Sequence, residues 1–151
     1  MRVVDKELYL GAALTQIVES TRFSSMRKAS AAIGHYEINE TRRLLIRYSR
    51  SPRGPWYFTF RPRDLHLIRD EMAAGHAFFL GLVCGTTATC LLTTGQIGQV
   101  LDLPTTEAQP ITEAQSIRVH TRPGASLSVS GSGGTLDGKV THHAFPTRLF
   151  R

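Results

Sequence analysis

Acidic residues are missing from the most basic part of this chain. Residues 41–63 carry seven arginines and neither Asp nor Glu. Lysine is scarce too, three residues against fifteen arginines. The positive charge therefore sits mostly on planar guanidinium forks, which suit phosphate and carboxylate better than a point-like ammonium does. Cysteine is limited to Cys84 and Cys90, six positions apart in apolar sequence. That excludes a disulfide-stapled scaffold and a Cys-x-x-Cys metal knuckle, and it predicts two buried thiols in a reducing, cytoplasmic setting. Long apolar runs are also absent. The longest, Ala77–Cys84, falls far short of the roughly 20 residues a membrane-spanning helix needs. The first residues lack the apolar stretch of a signal peptide, and no internal repeat or low-complexity tract occurs.

What remains is ordinary globular material. The chain has 151 residues, 41% hydrophobic and 20% charged, with a formal net charge of +6. A domain of this size buries roughly two-thirds of its unfolded surface and needs no staples. A single α+β domain over residues 1–151 is predicted, with a mostly antiparallel sheet, helices on one face and a C-terminal β-hairpin. A basic balance favours acidic partners, nucleic acid or an acidic protein.

Local patterning supplies the elements. Leu10, Leu14, Ile17 and Val18 share a face at helical spacing, so a first helix is expected from Asp5, its cap, to about Ser20. A short second helix is expected over 24–32, ended by Gly34. The period then changes to two around Tyr36 and Ile38, around Leu44, Ile46 and Tyr48, and around Trp56, Phe58 and Phe60. These read as three consecutive strands of an antiparallel meander. Pro62 and Asp64 open a helix that Gly75 closes, with Leu65, Ile68 and Met72 inward. Ala77–Cys84 is apolar on both sides and reads as a central strand. Gly85 and Thr86 turn the chain into a strand over 87–92, and Thr94 caps a short helix. Residues 103–114 are polar, with Pro104 and Pro110, and read as a flexible internal loop. Ile117, Val119, Leu127 and Val129 form a hairpin around Arg122-Pro123-Gly124-Ala125, and the apolar tail docks on the body.

Motifs for chemistry are incomplete. Gly133-xxxx-Gly138-Lys139 matches part of a P-loop, but Val140 stands where magnesium needs Ser or Thr, and only twelve residues follow Lys139. A glycine-rich turn fits better. The six histidines form no pair at zinc-ligand spacing, so no metal and no cofactor are predicted. Cys84, following Leu80-Gly81-Leu82-Val83, reads as core rather than nucleophile.

Two likenesses follow from these residues. Gly34-His35-Tyr36-Glu37-Ile38, Leu44-Leu45-Ile46-Arg47-Tyr48-Ser49, Pro55-Trp56-Tyr57-Phe58-Thr59-Phe60 and Leu82-Val83-Cys84-Gly85 resemble segments of a group of uncharacterised bacterial proteins, which implies a shared fold and no known activity. The order helix, meander, helix, strand over residues 6–92 is similar to the restriction-endonuclease-like core in topology only. That likeness implies magnesium held by an Asp and by an acid on the next strand, with a lysine two residues beyond that acid to help activate water. The expected strands, residues 43–49 and 56–60, contain no acid. A divergent metal-dependent nuclease would have to use Glu37, Glu40 or Asp64.

The arginine stretch carries the leading expectation. Strand alternation puts Trp56, Phe58 and Phe60 inward and Tyr57, Thr59 and Arg61 outward. A wet sheet face with scattered arginines is the plain account. The sharper one is a small non-enzymatic binding module for an anionic partner, first of all nucleic acid. It would use Arg43, Arg47, Arg50, Arg53 and Arg61 for phosphates and Tyr57 for stacking. A protein-interaction or inhibitor module that binds an acidic protein surface is the alternative. A helix-turn-helix with the meander as wing is weaker, because 24–32 is short for a recognition helix.

Overall fold

A computed structural model describes residues 2–105 and 109–151. It shows an α+β fold. The elements in chain order are α1 (Asp5–Val18), β1 (Met26–Lys28), β2 (His35–Ile38), β3 (Arg42–Ser49), β4 (Trp56–Phe60), α2 (Pro62–Ala73), β5 (Ala77–Cys84), β6 (Ala88–Thr93), α3 (Thr94–Val100), β7 (Gln115–His120), β8 (Ser128–Gly131) and β9 (Gly134–Thr135). Two short 3-10 turns, His142–Ala144 and Thr147–Phe150, end the chain. Among the described residues no helix is long and apolar enough to cross a membrane.

The strands form two sheets. Sheet A has the order β1-β2-β3-β5-β6, and sheet B the order β4-β7-β8-β9. All pairings are antiparallel except β3 with β5, which run parallel in register from Arg42↔Ala77 to Ser49↔Cys84. A parallel neighbour requires a long crossover, and β4 with α2 supplies it. As expected, β5 is interior: every residue from Phe78 to Cys84 is buried between β3 and β6.

Alternation along β3 and β5 sorts the core into two layers. Leu45, Leu80, Leu82 and Cys84 face one way. They meet Trp56, Phe58, Phe60, Ile117 and Val119 of sheet B, with α2 and α3 filling the same side. Leu44, Ile46, Phe79 and Val83 face the other way. There they meet Leu10, Ala13 and Ile17 of α1 and the tail residues Phe145, Leu149 and Phe150. The tail therefore docks, as its apolar residues predict. Where the sequence placed α1 and α2 on one face, they take opposite faces of sheet A, and Val18 is exposed rather than inward.

Four local expectations are corrected. Residues 24–32 hold no helix; they contain β1, which pairs Met26 with Ile38. The Asn39 side chain explains it. Its Oδ1 accepts from the Ser24 and Ser25 amides at 2.7 and 3.2 Å, and its Nδ2 donates to the Arg22 carbonyl at 2.8 Å, drawing the segment alongside β2. The meander also ends one strand earlier, because β4 leaves sheet A to pair with β7. Asp5 is not the cap of α1: Val4 holds that position, and Asp5 lies in the first turn. The cap of α3 is Thr93, reciprocally bonded with Gln96, not Thr94. Of the predicted loop over 103–114, residues 106–108 lie outside the described ones, and the rest carry no helix or strand. Gln115 ties that segment's base, donating to the Asp102 carbonyl and accepting from its amide at 2.6 and 2.8 Å.

Candidate functional site

The unequal lengths of β2 and β3 make a cleft. β2 pairs with β3 only over Arg42–Leu45, so the end of β3 has no strand on that side. Gly34 brings the preceding loop in, its carbonyl accepting from the Ile46 amide at 2.9 Å. Its φ of +82° and the position of the Ile46 carbonyl leave no room for a Cβ there. The result is a cleft of about 830 Å³ between residues 31–33, α1, β3, β4 and the start of α2. Four cations line it, Lys6, Arg47, Arg61 and Arg63, against one acid, Asp64.

Each cation has a distinct setting. Arg47 is tied down: its guanidinium donates to Asp64 Oδ1 at 2.9 Å and to the Ile33 carbonyl at 3.0 Å. Asp64 Oδ2 meanwhile accepts the Arg61 amide at 2.9 Å and starts α2. Arg47 and Asp64 are therefore a neutral wall. Among the described residues, Lys6, Arg61 and Arg63 have no ion-pair partner. They leave the cleft with an excess of three positive charges once Arg47 is set against Asp64. Tyr48 forms a further wall and is held by stacking on Tyr9 of α1, ring centroids 5.3 Å apart.

The remaining sequence-predicted residues scatter around this cleft. Arg43 lies elsewhere, on the α2 side of β3, between Glu37 and Glu71 at 3.4 Å from each. Arg50 pairs with Asp5 at 3.0 Å, an exposed contact one residue from Lys6. Arg53 is exposed on the loop before β4 and has no ion pair among the described residues. Tyr57 is 60% exposed while Trp56 is 2% exposed, so the predicted facing of β4 holds. Thr59, two residues along on Tyr57's side, lines the cleft. Tyr57, Thr59 and Arg61 thus lead in one row from the open face of sheet B into the cleft. Lys6 and Arg63 were legible as charges but not as neighbours of Arg61.

No protein-family model, curated protein or solved structure matches the chain. The site must be read from its own chemistry.

The acids Glu37, Glu40 and Asp64 do not converge in one cleft. Glu37 and Glu40 border a separate shallow pocket with Arg27, and Asp64 belongs to the cleft. Among the described residues no group of three His, Cys, Asp or Glu is placed to hold a metal. Glu37 is buried and grips Arg27 through two bonds of 3.0 and 3.1 Å. Hydrogen bonding to Arg27, opposed by desolvation and helped by the charges of Arg27 and Arg43, holds its carboxyl below the usual range. His35 is buried beside it, its Nδ1 2.8 Å from Ser30 Oγ and its Nε2 3.4 Å from Glu71 Oε2. Both cysteines are buried, and desolvation pushes the Cys84 thiol up to about 12, so it is protonated at neutral pH.

Proposed function

We propose that this protein is a small, basic, non-enzymatic binding module whose anionic partner is nucleic acid. The observation that supports it is the cleft itself, where Lys6, Arg61 and Arg63 gather without acids to neutralise them. Phosphate oxygens are the ligands such forks favour, because each guanidinium offers paired donors and stays charged at every physiological pH. Arg50, close to Lys6, is paired with Asp5, Arg53 stands exposed on the loop before β4, and Arg47 shapes the wall. Arg43, held between two acids, contributes least. The reduced, buried thiols fit a cytoplasmic location.

Competition separates this reading from an acidic protein partner. A labelled oligonucleotide is bound first, then challenged with unlabelled nucleic acid or with polyglutamate of equal charge. Unlabelled nucleic acid displaces the probe at far lower concentration, since phosphate geometry adds to charge. Equal displacement by polyglutamate would hand the cleft to an acidic protein.

A further inference from the structure

Sheet B has an outer face that borders the cleft at Thr59. Its inner side is apolar, with Trp56, Phe58, Ile117, Val119 and Val129 buried. Its outer side is assembled by register. Tyr57 on β4 sits beside Arg118 on β7, and Arg118 sits beside Ser130 on β8. One row over, Thr59 neighbours Ser116. On the other flank His120 neighbours Ser128, whose Oγ accepts from Lys139 Nζ at 2.9 Å. This outer surface therefore offers one exposed ring, two cations and a set of hydroxyls. No Asp or Glu lies at these positions, and neither Arg118 nor Lys139 has an ion pair among the described residues. Lys139, which the P-loop fragment made conspicuous in the sequence, finds its setting here.

We propose that this outer face of sheet B is a platform for single-stranded nucleic acid, with a base stacked on Tyr57 and the flanking phosphates on Arg118 and Lys139. The proposal rests on the nucleic-acid reading of the cleft and specifies the strand state. Three physical features point to it. An exposed tyrosine ring beside an arginine offers stacking area with a phosphate fork in reach. Bases present that face only when they are not paired and stacked in a duplex. Strands lie about 4.8 Å apart, so β4, β7 and β8 together span roughly 10 Å, room for about two nucleotides. Ser116 and Ser130 supply hydroxyls beside that track. Thr59 belongs both to the row of Tyr57 and to the cleft wall, so a strand crossing the platform passes directly toward Arg61 and Arg63.

Fluorescence anisotropy with a labelled oligothymidine and with a duplex of the same length tests this. Wild-type protein is expected to bind the single strand more tightly. Tyr57→Ala weakens that binding by roughly five- to a hundredfold, as loss of one stacked base does, and Tyr57→Phe restores it. Arg118→Ala weakens it and flattens its salt dependence, while the melting temperature of each variant stays at the wild-type value because all these side chains are exposed. Two results would overturn the platform. In the first, Tyr57→Ala and Arg118→Ala bind the single strand as wild type does, while Arg61→Ala/Arg63→Ala does not; the cleft reading then survives alone. In the second, neither probe binds at low salt, the cleft reading falls too, and the face is left as a protein-docking surface.

Discussion

Trp56 and Tyr57 are adjacent and have opposite fates. Trp56 is buried between the sheets and donates from Nε1 to the Ser51 carbonyl at 2.9 Å, while the Tyr57 ring stands in solvent. Removing the indole leaves a cavity and an orphaned carbonyl. Trp56→Ala is therefore expected to cost about 3–5 kcal/mol of stability in urea unfolding. Tyr57→Ala is expected to stay within about 0.5 kcal/mol of wild type. A large loss for Tyr57→Ala would mean that β4 faces the other way. This contrast was readable from the sequence, because alternation in a strand fixes facing without knowledge of the partner strand. The pairing of Tyr57 with Arg118 was not readable, since those residues lie far apart in sequence and only register joins them.

At the scale of elements, the sequence showed most strands and missed where one of them goes. β2 and β3 alternate locally and are joined by a tight turn, so their antiparallel pairing follows from the chain alone. β4 alternates just as clearly, but a strand's period says nothing about its neighbour, and β3 instead takes β5 across a crossover. β1 was hidden because three residues carry too little period to oppose a helix-compatible composition. What holds β1 is chemistry that patterning does not report: the Asn39 bonds and the grip of Glu37 on Arg27. That grip makes stability depend on acid. The carboxyl of Glu37 is depressed in the folded state. Its contribution is fully present above the ordinary glutamate value of about 4.3 and is lost as pH falls through the lower folded value. Glu37→Gln should flatten the acid limb of a stability–pH curve measured by urea unfolding. An unchanged acid limb would show that Glu37 titrates as an ordinary surface carboxylate.

On the scale of the whole molecule, sheet A is a central wall covered on both faces. Leu82 lies within it, buried, with sheet B on its side. Leu82→Asp places an unpaired charge there, at a cost of several kcal/mol against a total stability on the order of 10, and circular dichroism should show an unfolded chain. The candidate site sits at the margin of this wall, where β3 outruns β2 and the two sheets meet. Its cations come from α1, β3 and the entry to α2, so the dense arginine stretch in the sequence advertised the charge without the shape. Folding sorts that stretch: Arg43 and Arg47 go into ion pairs, and Arg61 and Arg63 line open space with Lys6. The central claim is that this open charge meets phosphates. The most direct measurement is oligonucleotide affinity as a function of salt, for wild type and for Arg61→Ala/Arg63→Ala. Each lost phosphate contact removes about 0.7 from the slope of log K against log salt on a single strand, so the double variant should be flatter by about 1.4 with its melting temperature unchanged. Identical slopes for the two proteins would contradict the account.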